Sequence, residues 1–328
     1  MTNFLRGHAK EKYHPKTTQS YLMSLRHFYS FALTEQLNAD LDISKEDIIA
    51  LKEKVSRWSS SFAKSCLKRH WHKMETDRQL LITPEQIKEF ERSKAARDAV
   101  CLLGQLSGAQ AIMISQSQYT LIRDFLLVQI TVDNASRAGA LANMKLSELE
   151  RAHKQGDEFV VSIKDHKTIV THGPARIVLS AKLHSWMQIF VAQVRPATCK
   201  SSNNDKCVFL SWTGEPLASS QINKALKSIW KKADLHGTPS STLFRKSAVT
   251  GVHSLKDSSE LKGNLADLMA HNSGTAQKYY RLHEKSLSSV KASKKLRKVM
   301  RGETHEEDDG HTDPKRSEEH TSELQSQR

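Results

Sequence analysis

The sequence contains no apolar run approaching the roughly 18 residues a membrane-spanning helix requires, so no membrane span is expected. Its first residues, Met1 to His8, lack an apolar core segment and do not read as a secretory signal. Cysteine is scarce: Cys66, Cys101, Cys199 and Cys207 show no framework spacing. That excludes a disulfide scaffold and suits a reducing, intracellular compartment. Cys66, His70 and His72 lie close in sequence but lack a fourth ligand, so no metal site is expected there. No repeat appears at solenoid periods. Between residues 15 and 80 no strand-like alternation appears either.

What the chain has in excess is positive charge. The formal net charge is +14 over 328 residues. It is unevenly placed, because residues 302–328 hold nine acidic and three basic residues and the first 301 therefore carry +20. A body this basic is expected to meet a polyanion, with nucleic acid the first candidate. Residues 302–328 are nearly free of apolar side chains and are expected to be disordered. Within them, 316–326 resemble a translated sequencing-library adapter and are set aside as an artefact.

The length suggests two domains, each able to bury its own core. Residues 1–80 read as a small helical bundle. Pro15 opens a helix whose apolar stripe is Tyr21, Leu25, Phe28 and Ala32. Ser44 caps a second helix, with Asp47 at the capping-box position. Residues 58–72 give a third helix, one side of which carries Lys64, Lys68, Arg69, His70 and His72. Residues 74–78 are polar and read as the linker. Residues 81–301 read as a second domain. Thr83, Pro84 and Gln86 start a helix predicted to run to about Gln105. Another covers 117–133. The period then changes: Phe159, Val161 and Ile163, and later Ile177 and Leu179, alternate as in a β-hairpin with a long loop. Helices return at 181–192 and around Ile222, Leu226, Ile229 and Trp230. The expected fold is mainly α with a small β-hairpin or sheet (α+β).

The most informative stretch is 265–281. Leu265, Leu268 and Met269 form a short amphipathic helix that runs into His271 and stops at Asn272-Ser273-Gly274. A second helix would carry Tyr279 and Tyr280. An imidazole and a phenol across a tight turn are able to meet at one phosphate. A helix hairpin with a capping histidine and two half-buried tyrosines is the plainer alternative. Three further segments supply cations: Arg137 at a helix start, Lys164 and Lys167 beside the hairpin, and Arg245 at another helix start.

Taken in this order on a helix–hairpin–helix framework, these residues resemble the tyrosine recombinase (phage integrase) family over roughly residues 15–295. Ser136-Arg137-Ala138-Gly139-Ala140-Leu141 and His271 with Thr275 to Arg281 are similar to eukaryotic members, including Crypton-type transposases and host genes derived from them. The resemblance implies a helical core-binding domain and a catalytic domain clamped around duplex DNA in the nucleus. It implies copies of the chain assembling on DNA, and no cofactor. It assigns Arg137 and Arg245 as a phosphate clamp, Lys167 as general acid with Lys164 as substitute, and His271 as a transition-state donor. Tyr280 becomes the nucleophile, with Tyr279 as substitute.

Two positions depart from the family pattern. Ala140 stands where an acidic residue is common, and Thr242 where a histidine is. A threonine donates a hydrogen bond but takes up no proton near neutral pH. Two rivals therefore stand beside the recombinase reading. One is a DNA-binding protein on the same fold that no longer cuts. The other is a helical interaction scaffold whose basic cluster at 291–301 serves nuclear import.

Overall fold

Capping residues set most helix starts in this protein. The structure, a computed structural model, describes residues 14–36, 43–108, 113–198, 206–255, 259–270 and 288–301. The chain divides into two compact units, residues 1–282 and 283–328.

In the first unit, α1 (Pro15–Thr34) starts with Pro15 in its first turn and with His14 as N-cap. Helix α2 (Lys45–Ser61) is capped by Ser44, whose hydroxyl oxygen accepts from the Asp47 amide. That hydroxyl in turn donates to the Asp47 carboxylate at 2.7 Å. Helix α3 (Ala63–Gln79) follows after Phe62. Three expectations need correction here. The buried stripe of α1 is Thr18, Leu22, Tyr29 and Ala32, not Tyr21 and Phe28, which are 55% and 48% exposed. The two stripes are adjacent and share Ala32 and the flank residue Leu25, so periodicity did not separate them. The choice is made by α2, whose Ile48 and Val55 pack into the cluster of Leu22 and Tyr29. Trp58 belongs to α2, so the third helix begins later than 58. Residues 74–78 are the last turns of α3 rather than a linker, and the connection is 80–83. Met74 is buried, and Asp77 forms an ion pair with Lys246.

Helix α4 (Pro84–Arg92) carries the complete capping box predicted for Thr83 and Gln86. It does not reach Gln105. Ser93 is extended, and its hydroxyl caps a new helix, α5 (Lys94–Ser107), by accepting from the Ala96 amide. A serine that competes for backbone bonds breaks the helix in this way. Helix α6 (Gln116–Asn134) is the centre of the fold. Ile122, Phe125, Leu126, Leu127, Val128 and Ile130 are all buried, so hardly any face of it is wet.

After α6 come α7 (Ala138–Asn143) and α8 (Leu146–Glu150). A three-stranded antiparallel sheet follows, in order β1 (His153–Gln155), β2 (Glu158–Ile163), β3 (Ala175–Ser180). Phe159 pairs with Leu179 and Val161 with Ile177, and Val161, Ile163, Ile177 and Leu179 face the core. Helix α9 (Ile169–His172) lies within the β2–β3 connection. Helix α10 (Ala181–Ile189) continues through a π-helical segment, Phe190–Val194.

Helix α11 (Ser219–Lys232) buries Ile222, Leu226, Ile229 and Trp230, as expected. Trp230 stacks on Phe90 at 5.4 Å, which ties α11 to α4. Helices α12 (Ser241–Ser254) and α13 (Ser259–Leu268) close the unit. The protein is therefore mainly helical with one small antiparallel sheet. In the second unit residues 288–300 are helical and their side chains exposed. Among the described residues, no helix is long and apolar enough to cross a membrane. Nor does any group of three His, Cys, Asp or Glu side chains stand ready for a metal ion.

Candidate active site

The candidate site is built where α6 ends. Ala135 takes a left-handed conformation, φ 45° and ψ 39°, and its amide donates back to the Thr131 carbonyl. This sharp exit is fixed from the side by Asn134. The Asn134 carboxamide donates to the Val178 carbonyl at 2.8 Å and accepts from the Val178 amide at 2.7 Å, standing in for a strand partner to β3. The sheet and the end of α6 are thereby locked together. Two residues further on, Arg137 is the N-cap of α7.

Helix α12 is docked onto the same place. The buried Ser241 hydroxyl accepts from the Ala138 amide, and the Ser241 amide donates to Asn223 on α11. One turn later Arg245 points back under α6. The residue is 7% exposed. Nη1 donates to the Ala135 carbonyl at 2.7 Å and Nη2 to the Met269 carbonyl at 3.1 Å. Arg137, half-buried, donates through Nη1 to the Thr168 hydroxyl at 2.8 Å and to the Ala270 carbonyl at 3.1 Å.

The two guanidinium groups thus meet on consecutive carbonyls, those of Met269 and Ala270, just past the end of α13. Ala270 is itself left-handed, with φ 46°. Under this turn Met269 packs with Ala135 and Val249 in a small apolar cluster.

The electrostatics follow from this packing. Burial, and then the charge of Arg137, push Arg245 down from the ordinary arginine value to about 9. Burial also lowers Arg137. Backbone carbonyls and a hydroxyl satisfy hydrogen bonds but do not neutralise charge. A pair of cations held this way attracts an anion. A planar guanidinium offers five N–H donors. After two carbonyl bonds Arg245 keeps three, enough for a bidentate grip on a phosphate.

The hairpin lysines are placed less tightly. Lys167 is exposed and immediately precedes Thr168, the residue bonded to Arg137. Lys164 is also exposed, at the end of β2, where its amide donates to Glu148. His271, Tyr279 and Tyr280 lie outside the described residues, the first of them next to Ala270. Of the five assigned residues, then, Arg137 and Arg245 are brought together and Lys167 is carried on a segment that touches one of them. Ala140 is buried in the main core and Thr242 is exposed on α12.

Several residues of this site were not singled out in the sequence: Asn134, Ser136, His166, Thr168 and Ser241. The Ser136 hydroxyl, next to Arg137 in sequence, is buried and has no hydrogen-bond partner among the described residues. Short polar side chains beside an arginine carry no periodic signal that marks them.

Residues 108–286, more than half of the chain, match the model for the Phage integrase family. The chain belongs to the phage integrase family. The matched span of this integrase-family chain contains both arginines, the β2–β3 connection and the segment after α13. No curated protein matches the sequence. Similar solved structures, all at low identity, include three recombinases. XerA recombinase is 13% identical with a TM-score of 0.42, covering 89% of this chain and 95% of that one. XerH site-specific recombinase bound to a palindromic difH substrate, in a post-cleavage complex, is 15% identical with a TM-score of 0.44. That match covers 65% of this chain and spans about half, 52%, of the XerH chain. A lambda integrase dimer bound to a COC′ core site is 13% identical with a TM-score of 0.36, covering 85% and 93%.

Proposed function

We propose that this protein cuts and rejoins DNA strands through a covalent phosphotyrosyl intermediate. The observation that carries the reading is the convergence of Arg137 and Arg245 on the carbonyls of residues 269 and 270, directly before His271. A buried and a half-buried guanidinium, with no carboxylate bonded to either among the described residues, form a receptor for a tetrahedral anion.

The roles follow from the chemistry. The Tyr280 phenolate attacks the phosphorus of a phosphodiester. A bond from the phenolic oxygen to phosphorus forms, and the bond to O5′ breaks. The leaving O5′ takes a proton from the Lys167 ammonium. Negative charge grows on the nonbridging oxygens, where Arg137, Arg245 and His271 donate. Preorganised donors of this kind each lower a barrier by about 3 kcal/mol. The 3′-phosphotyrosyl bond conserves the energy of the broken link, so a 5′-hydroxyl reverses the step.

In this reading residues 1–80 form a core-binding domain and 81–301 a catalytic one, acting together on duplex DNA. Members that bind DNA as dimers or tetramers, as the solved lambda integrase complexes do, make assembly of several copies the expected active form. The similarity of the Arg137 and His271–Arg281 phrases to Crypton-type transposases supports a transposon-derived origin and nuclear placement. The surplus of positive charge predicts phosphate-dominated binding that weakens steeply with salt.

The direct test is trapping on a nicked suicide duplex, in which the fragment carrying the 5′-hydroxyl diffuses away. Wild type is expected to form a covalent adduct stable to denaturant, and Tyr280→Phe to form none. If both Tyr280→Phe and Tyr279→Phe trap DNA as well as wild type, the nucleophile has been misassigned. A second reading rests on Ala140 and Thr242: duplex binding with a steep salt dependence and no adduct under any condition.

A further inference from the structure

The β2–β3 connection carries a chain of hydrogen bonds that the proposed chemistry has not used. Thr168 Oγ1 accepts from Arg137 Nη1 at 2.8 Å and lies 3.3 Å from His166 Nδ1. His166 Nε2 lies 2.8 Å from the Gly173 carbonyl. A carbonyl only accepts, so Nε2 carries a proton, and in the Nε2–H tautomer of the neutral ring Nδ1 is the acceptor. Arginine only donates, so it occupies a lone pair of Thr168 and leaves the threonine hydrogen free to reach Nδ1. The directions are therefore consistent from end to end: Arg137 to Thr168 to His166, and His166 to Gly173.

This chain closes a loop around one residue. His166 is buried, 7% exposed, and its ring bonds across to Gly173 at the far side of the connection. Gly173 has φ 68°, a left-handed conformation that suits glycine. Thr168 is half-buried against Arg137. Between these two anchored neighbours stands Lys167, exposed and with its backbone held on both sides. The base of the connection is fixed separately, by Glu148 on the Lys164 amide and by Asn143 on the Asp165 carbonyl.

We propose that Thr168 and His166 are positioning residues that hold Lys167 in register with the Arg137 guanidinium, so that acid and clamp address the same phosphate. This rests on the reading of Lys167 as general acid. Neither side chain is assigned contact with DNA. Their work is to fix the distance between a proton donor and an anion clamp that come from different elements, a hairpin connection and a helix start.

The test uses the full chain and three variants: Thr168→Val, which keeps shape and removes the hydroxyl, Thr168→Ser, and His166→Phe. Single-turnover cleavage of the nicked duplex is read beside duplex affinity. Thr168→Val and His166→Phe are expected to slow cleavage at least tenfold with affinity within about twofold, and Thr168→Ser to recover to within about threefold of wild type. A substrate with sulfur at the bridging 5′ position has a leaving group that needs no proton. It is expected to erase most of the Thr168→Val defect. A defect that persists with sulfur places the effect on Arg137 instead and overturns the lysine-positioning role. Amide hydrogen exchange over residues 164–173 gives a readout independent of chemistry. Thr168→Val is expected to speed it at least tenfold, and unchanged exchange overturns the anchoring itself. If wild type fails to cleave while exchange still responds, the proposed function has failed and the anchor remains. The positioning of a general acid then falls with that function.

Discussion

Replacing Arg245 by lysine keeps the charge and removes the fork. In the structure two terminal nitrogens of Arg245 each donate to a carbonyl, Ala135 at 2.7 Å and Met269 at 3.1 Å, and three N–H groups remain. A lysine has three N–H groups on one nitrogen. Satisfying one carbonyl leaves the other bare, and the bidentate contact to phosphate is gone. The lost transition-state contact amounts to about 3 kcal/mol, or roughly a hundredfold in rate. The stranded carbonyl costs about 1–2 kcal/mol of stability. For a unit of this size that lowers Tm by roughly 2–3 °C. Duplex affinity should change little, because one phosphate contact among many is altered. Single-turnover cleavage, a thermal melt and fluorescence anisotropy read the three quantities separately. A cleavage rate within about threefold of wild type would refute the clamp role of Arg245.

Other consequences are open to measurement. Among the described residues the buried Ser136 hydroxyl has no partner, so Ser136→Ala should stabilise the free protein by about 1 kcal/mol. A loss of stability by thermal or urea melting would show that the hydroxyl is satisfied. Asp77 and Lys246 form a largely buried ion pair between α3 and α12, with side chains 16% and 13% exposed. Asp77→Asn should cost about 3 kcal/mol, and Asp77→Leu with Lys246→Met should recover much of it in a double-mutant cycle; additive losses would contradict the pair. Burial raises Asp124 to about 6 against the opposing pull of Arg123. A carboxyl raised in the folded state is costly above that pH, and the cost is relieved as pH falls through it. From pH 7 to 5 wild type should therefore gain about 1 kcal/mol relative to Asp124→Asn in urea melts, and parallel curves would contradict this.

The parts of the fold that the sequence made legible are those with local physical causes. The capping boxes, the strand alternation at 158–163 and 175–180, and the stripe of α11 all come from near neighbours in sequence. The misses are tertiary. Tyr21 and Phe28 belong to a good helical stripe, and only the position of α2 decides that Leu22 and Tyr29 are buried instead. Strand β1 is His-Lys-Gln, three exposed residues with no alternation, and it exists because β2 offers an edge. The helix break at Ser93 was visible in principle, since serine is a strong N-cap, but the surrounding helical residues masked it.

At the site, Arg137 and Arg245 were singled out from motif order, and the fold brings both side chains to one turn of chain. What no motif conveyed is the scaffolding: Asn134 imitating a strand, Ser241 capping α7 from another helix, and Thr168 reaching Arg137 across 31 positions. Such contacts depend on distant segments meeting, and no local pattern encodes them.

The proposed chemistry requires a covalent bond between Tyr280 and a DNA 3′-phosphate. The wild-type chain trapped on a nicked duplex is digested with nuclease and protease, and the peptide that carries the nucleotide is identified by mass spectrometry. The predicted result is one modified peptide with the nucleotide on Tyr280 through its 3′-phosphate. A bond at another residue, a 5′-phosphate linkage, or intact duplex binding with no adduct would contradict the account.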